Sequence, residues 1–259
     1  MKFSAVIVTY NNEKIILDCL ESLRDVADEI VVVDSASTDH TRKIASYFTE
    51  KVLKHPSTDY IELKELGHRL AAHEWILSVE PDERLSTGLQ LELLEWKKNP
   101  VEAEGLTIPR KSFYLERWIK HSGWYPNRRV RFYRKSQACW KREAGLVFVE
   151  VEGRIKKFKS HLEHLAFSSI SEHVQYLNRL AERRARELYA RKKKTRFYHL
   201  WFSPVFVFFK NYFLKLGWLD GFPGLVISAL SGYTVFLKYA KLKEIWRKGE
   251  KIEPVPCRQ

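Results

Sequence analysis

Cysteine is scarce in this chain: Cys19, Cys139 and Cys257 are the only three in 259 residues, with no CxxC or metal-ligand spacing. That excludes a disulfide-built scaffold and a cysteine-rich zinc module, and it suits a reducing compartment. Long hydrophobic runs are absent too. The opening MKFSAVIVTYNN is too short in its apolar part for a signal peptide and lacks a small-residue cleavage site, so a cytoplasmic chain is expected. The uncharged stretches WFSPVFVFF and GFPGLVISALSGYTVFL both fall short of the ~18–20 residues needed to span a bilayer. Internal repeats and low-complexity blocks are missing. Acidic residues are outnumbered, 32 against 45 basic ones, and the net charge of +13 calls for an anionic partner: nucleic acid, anionic lipid or a phosphorylated substrate. What is abundant is core material, 45% hydrophobic residues, which excludes a disordered chain.

The first hundred residues alternate between two periods. FSAVIVT (Phe3 to Thr9), EIVVVD (Glu29 to Asp34) and WILSV (Trp75 to Val79) are short apolar runs that predict buried strands. Between them, Glu13 to Leu23, Thr38 to Phe48 with Ser37 as its cap, and about Tyr60 to Ala72 carry helical spacing. Alternation of this kind predicts βαβ units around a largely parallel sheet, an α/β fold whose ligands sit at the carboxyl ends of the strands. The polar clusters fall at those ends: Thr9-Tyr10-Asn11-Asn12, Asp34-Ser35-Ala36-Ser37-Thr38-Asp39 and Glu80-Pro81-Asp82-Glu83. From Glu104 to Val151 the pattern changes to short extended pieces such as LTIPR and RVRFYR, and a helix is predicted from about Ser171 to Ala190.

Each cluster has a chemical and a plain reading. Asp34 at a strand end can accept hydrogen bonds from a base or ribose, or it can simply open a capped strand–helix turn. In SVEPDERL the carboxylates suit Mg²⁺ or Mn²⁺, with Asp82 as direct ligand and the longer Glu80 reaching the ion itself or through water. The plain alternative is a capped loop before a helix starting near Thr87, with Glu83 paired to Arg84.

VTYNNE, VVVDSASTDHT and WILSVEPDERL, in this order, resemble the family 2 glycosyltransferases of the GT-A fold, a Rossmann-like mixed sheet flanked by helices. IPRKSFYLERWIKHSGWYPNRRVRFYR, LGWLDGFPGL and FLKYAKL look like the lipopolysaccharide inner-core β-1,4-glucosyltransferases. The resemblance implies inverting transfer of a glucose-like hexose from a nucleotide-diphosphate sugar, UDP-linked by preference, to a lipid-linked or lipopolysaccharide-core acceptor. It implies that Asp34 with Ser35, and Glu13, contact the nucleotide, that Thr9 and Tyr10 line the base pocket, and that Lys64 meets phosphate. It implies a metal at Glu80 and Asp82, with His164 of His161-Leu162-Glu163-His164 as a third ligand. Arg110, Trp124 and Arg131 form a basic-aromatic set suited to a phosphorylated glycolipid, while Arg129 is expected to be incidental.

Three departures from the family pattern stand out. The first acidic residue is Glu80, the QKN-like segment is Leu63-Lys64-Glu65, and counting back from Val151-Glu152-Gly153 puts Leu146-Val147 where a His-Glu pair would supply the base. Glu143 could then supply the base if the register slips, and Glu150 or Glu152 if the strand is rotated. The departures also favour an alternative: a catalytically degenerate homologue that binds donor, glycolipid or a partner enzyme without turnover.

The expected organisation is a glycosyltransferase domain over 1–165, with a nucleotide-sugar half (1–100) and an acceptor half (101–165), then a helical tail over 166–259. The tail is basic first (Arg191-Lys192-Lys193-Lys194) and aromatic afterwards (Phe202, Phe206, Phe208, Phe209, Tyr212, Phe213). That order predicts peripheral or monotopic attachment to an anionic membrane surface, the cytoplasmic face of the inner membrane, with a homodimer seam as its rival. No nucleic-acid-binding module is recognisable, and nucleic acid is not an expected partner.

Overall fold

The computed structural model describes residues 1–143 and 146–248, Glu143 by its backbone only. In chain order the elements are β1 (Phe3–Thr9), α1 (Ile16–Leu23), β2 (Glu29–Asp34), α2 (Thr41–Ser46), β3 (Val52–Lys54), α3 (Tyr60–Leu70), β4 (Trp75–Val79), β5 (Glu83–Leu85) and α4 (Thr87–Lys98). They continue with β6 (Gly105–Tyr114), β7 (Arg117–Trp118), β8 (Asn127–Arg134), β9 (Ala138–Glu143), β10 (Leu146–Val151), β11 (Ile155–Lys157), β12 (Leu162–Phe167), α5 (Ile170–Ala190), α6 (Phe197–Phe209) and α7 (Phe222–Lys248).

β1 is buried at every residue, which is why its sequence is a run rather than an alternation. It lies between β2 and β4, parallel to both, and β3 extends the parallel part beyond β2. β8 then runs antiparallel between β4 and β6, β12 lies parallel to β6, and β5 closes the edge antiparallel to β12. The sheet is therefore mixed, in the order β3-β2-β1-β4-β8-β6-β12-β5. β4 and β5 are neighbours in sequence but sit apart in this order, so residues 80–82 cross from one part of the sheet to the other.

One face carries the larger core, with Phe3, Trp75, Trp96 and Phe132 in mutual ring contact beneath α1 and α4. The other face packs Val6, Val8, Val31, Val33 and Tyr133 under α3. Gly67 makes that second layer close-packed, because a Cβ there would lie 2.5 Å from Val6 Cγ1. β9 and β10 form a separate hairpin, which lays Val149, Trp140 and Val151 on this second core.

The strands expected for Phe3 to Thr9, Glu29 to Asp34 and Trp75 to Val79 are found at those bounds. Ser37 does not cap α2. Its hydroxyl donates to Asp34, and α2 begins later, after His40. α5 runs back along the molecule against α7, and α7 also packs against α6, where Gly232 lets the helices meet at Pro204.

Candidate active site

Two turns at the ends of β1 and β2 are knitted together by side chains. Thr9 Oγ1 donates to Asn12 Oδ1 at 2.9 Å, the Asn11 N–H to Ser37 Oγ at 2.9 Å and the Thr38 N–H to Asn11 Oδ1 at 2.9 Å. Asn11 and Ala36 take positive φ values of 50° and 57°, where asparagine is tolerated more readily than alanine. Asp34 is fully buried and accepts the Ser37 N–H at 2.8 Å, with Arg42 Nε 3.4 Å from its Oδ1. Ser35 turns its hydroxyl to the Ser57 carbonyl at 2.6 Å, and Tyr10 stands exposed. Glu13 accepts the His40 N–H at 3.0 Å, and that hydrogen bond with the His40 ring holds its carboxyl below the ordinary range. Thr9, Tyr10, Glu13, Asp34 and Ser35 are thus brought together in two adjoining strand-end turns.

The acidic segment is divided between two roles. Glu80 Oε1 is 3.1 Å from Lys64 Nζ and 2.9 Å from Arg131 Nη1, and its Oε2 accepts from the Tyr60 hydroxyl. Burial alone would push the Glu80 carboxyl up, but the two cations hold it well below the carboxylate range. Glu83, with no exposed side-chain surface, receives Arg131 Nη2 at 2.8 Å and Arg110 Nη1 at 3.5 Å. Burial lowers the Lys64 amine, against the pull of Glu80, whereas Glu83 and Glu80 overcome burial to raise the Arg131 guanidinium. Beneath the segment, burial and the Glu83 charge push the Cys19 thiol well up.

Asp82 is the acidic residue left outside this network. Its Oδ2 is 3.3 Å from His164 Nε2, and the other ring nitrogen of His164 bonds Ser112 Oγ at 3.0 Å. The pairing of His164 with Glu83 across β12 and β5, and the Leu165 N–H bonded to the Asp82 carbonyl at 3.0 Å, fix the approach. A carboxylate beside an imidazole whose far nitrogen is already oriented fits a divalent cation completed by substrate phosphates. Among the described residues no group of three or more His, Cys, Asp or Glu side chains is arranged for a metal. The candidate set is therefore Asp82 and His164, and Glu80 is committed to Lys64 and Arg131.

Several expected residues are placed differently. Lys64 is not open to a phosphate: it is buried, bonds Ser78 Oγ at 3.2 Å and lies over the rings of Tyr60 and Trp140. Its burial was legible in principle, because it shares the inward stripe of α3 with Leu63 and Gly67. Glu83 pairs with Arg131 rather than Arg84, which reaches Glu163 at 2.8 Å. Arg131 is the extra residue of a β-bulge, since β6 pairs Leu106 with Phe132 and then Thr107 with Val130. The bulge aims its guanidinium at the acidic segment instead of an acceptor.

Trp124 packs with Tyr114, Phe167 and His173 rather than standing free, and burial lowers His173 to about 4. Glu150 is exposed and paired with Lys141, because alternation along β10 sends Val149 and Val151 to the core and Glu150 outward. The Glu143 side chain lies outside the described residues. His161 uses its carbonyl to receive Ser86 Oγ at 2.7 Å, and its ring contacts Tyr125.

The segment that carries Trp124 is clasped by the C-terminal region. Asp220 is buried and accepts the Lys120 N–H at 3.2 Å, the His121 N–H at 2.8 Å and the His121 ring at 3.0 Å. The Ser122 N–H donates to the Lys215 carbonyl at 3.0 Å. Next to this elbow, α6 exposes Phe197, Trp201, Phe202, Val205, Phe206 and Phe209, each more than half accessible. Among the described residues no helix is long and apolar enough to cross a membrane.

Knitted turns at the ends of β1 and β2, an acidic segment ending β4 and a returning antiparallel half define a GT-A glycosyltransferase. The family model described as Glycosyl transferase family 2 matches residues 4–151, and the chain belongs to that family. It is 29% identical to a protein of Rickettsia felis described as an uncharacterized glycosyltransferase, over 97% of this chain and 93% of the relative. It is 25% identical to the lipopolysaccharide core biosynthesis glycosyltransferase LpsC of Rhizobium meliloti, over 93% and 92% of the two chains. Among solved structures, Staphylococcus aureus TarS (residues 1–349) in complex with UDP-GlcNAc shares the fold with a TM-score of 0.50, 18% identity, and coverage of 96% of this chain and 93% of that one.

Proposed function

We propose that this glycosyltransferase moves a hexose, with inversion, from a UDP-sugar to a phosphorylated, lipid-linked saccharide of the lipopolysaccharide-core type at an anionic membrane surface. The observation that carries the reading is the Asp82–His164 pair at 3.3 Å, set at the end of β4 beside the two knitted turns. The core-biosynthesis relative supports the acceptor class, and the UDP-GlcNAc complex of TarS makes UDP the first nucleotide to test.

In this reading the turn of Asp34 and Ser35, with Thr9, Tyr10 and Glu13, receives the nucleotide. Asp82 and His164 would hold Mg²⁺ or Mn²⁺, which supplies charge neutralisation to the leaving diphosphate. The acceptor hydroxyl oxygen bonds to the anomeric carbon as the bond from that carbon to the diphosphate oxygen breaks, and a carboxylate takes the hydroxyl proton. Glu150 is turned to Lys141, which leaves Glu143 as the proposed base. Residues 1–165 are the catalytic part and 166–259 the attachment, with α6 lying in the membrane interface and Lys192, Lys193 and Lys194 toward anionic headgroups.

Calorimetric titration of UDP and UDP-sugars, with Mn²⁺, with Mg²⁺ and with chelator, tests this reading. Metal-dependent binding that Asp82→Ala abolishes is the expected result, and binding indifferent to Asp82 overturns the site. The locked Glu80 and the Leu146-Val147 pair favour a second reading, a homologue that binds donor without turnover. UDP-sugar binding with no transfer to extracted glycolipid would select it.

A further inference from the structure

Arg129 is the arginine that the site leaves unused. Arg110 and Arg131 meet Glu83, Arg128 donates to the Phe158 carbonyl at 2.8 Å, and Arg134 lies over the Trp75 ring. Among the described residues the Arg129 side chain has neither a hydrogen bond nor an ion pair, although the residue is partly buried. Register places it opposite Ile108, so Arg110, two residues along β6, is its diagonal neighbour on one sheet face, roughly 7–8 Å away in such pairings. Burial lowers its basicity, and the charges of Arg131 and Arg110 lower it further. Glu80 and Glu83 are already met by Lys64, Arg131 and Arg110, so neither carboxylate is paired with Arg129.

We propose that Arg129, with Arg110 beside it, is a specificity-determining anion subsite that takes a phosphate group of the acceptor. The inference rests on the transferase reading above and names the acceptor feature it selects. A guanidinium offers a planar fork that matches two phosphate oxygens, and a half-buried setting strengthens such a bond over a surface contact. The acceptor is favoured over the nucleotide by position. Arg129 lies on β8, which β4 separates from β1 and β2 and their nucleotide-facing turns.

The test uses full-length protein and two probes: UDP followed by calorimetry, and inorganic phosphate followed by phosphorus NMR, with and without UDP. In Arg129→Gln, phosphate affinity is expected to fall about tenfold or more, as the loss of a charged hydrogen bond predicts. Arg129→Lys regains part of it, and UDP affinity stays within about twofold of the unaltered protein. The melting temperature of Arg129→Gln stays level or rises, because a like charge has been removed from beside Arg110 and Arg131. Phosphate affinity unchanged by Arg129→Gln, or no phosphate binding in the unaltered protein, overturns the subsite. An equal loss of UDP and phosphate binding assigns Arg129 to the donor diphosphate, and a lowered melting temperature assigns it a structural role. Both outcomes overturn the proposal as stated. Absence of UDP binding in the unaltered protein would sink the UDP-sugar donor of the proposed function while leaving the phosphate arm decisive for Arg129.

Discussion

Replacing Arg131 by methionine keeps the length of the side chain and removes the charge that two buried carboxylates share. Arg131 reaches Glu80 at 2.9 Å and Glu83 at 2.8 Å, with 11% of its side chain exposed and none of Glu83's. Afterwards Glu83 keeps Arg110 at 3.5 Å as its one cation and the Glu80 N–H at 3.0 Å, and Glu80 keeps Lys64 and Tyr60. Removing one partner of a buried ion pair strands the other, which costs about 3–5 kcal/mol. At ~2–4 °C per kcal/mol for a chain of this size, the melting temperature falls by roughly 10 °C. Denaturant and thermal unfolding read the loss. The double variant Arg131→Met with Glu83→Gln recovers a good part of it, since the stranded charge is gone. The sign of the pH dependence follows from Glu80, whose folded carboxyl is held below its unfolded value of about 4.3. Its contribution is present above that pH and lost as the solution becomes more acidic. A loss below about 1 kcal/mol, the worth of an exposed pair, would refute the assignment of Arg131 to the acidic segment.

Two further predictions concern other parts of the molecule. Burial holds His173 at about 4 against an ordinary 6.5. Its share of the stability is therefore complete above pH ~6.5 and declines toward pH ~4, by about 3 kcal/mol in all. His173→Asn should remove that part of the slope between neutral and mildly acidic pH, and an unaltered slope in unfolding titrations would contradict the buried neutral ring. Changing Trp201, Phe202 and Phe206 together to serine should cut binding to phosphatidylglycerol vesicles about tenfold or more, since each exposed ring offers about 1.5–3 kcal/mol on burial. Unchanged co-sedimentation would remove α6 from the membrane contact.

The strands of the first half were legible because full burial turns them into uninterrupted apolar runs, so β1, β2 and β4 begin and end where hydrophobicity does. The polar turns at their ends were legible for the same reason, and family likeness named His164 with Asp82, which lie 3.3 Å apart. What escaped depended on geometry that residue type does not encode. In RVRFYR, strict alternation would put Arg129, Arg131 and Tyr133 on one face. The bulge at Arg131 instead sends Val130 with Tyr133 to one core and Phe132 to the other. The roles of Arg129 and Arg131 follow from that extra residue. Ser37 escaped because its hydroxyl answers to Asp34 inside the turn, an interaction that competes with capping.

The Asp220 clasp changes what the C-terminal region means for the rest of the chain. Three donors from Lys120 and His121 converge on one buried carboxylate, so the segment ahead of Trp124 takes its shape from a residue about one hundred positions further on. A surface held at α6 would thereby set the height and tilt at which the β7–β8 segment meets whatever lies in that surface. If α6 lies in a membrane interface as proposed, distance from the bilayer becomes a coordinate of the site itself, and a chain cut before Phe197 loses the Asp220 clasp that would convey it.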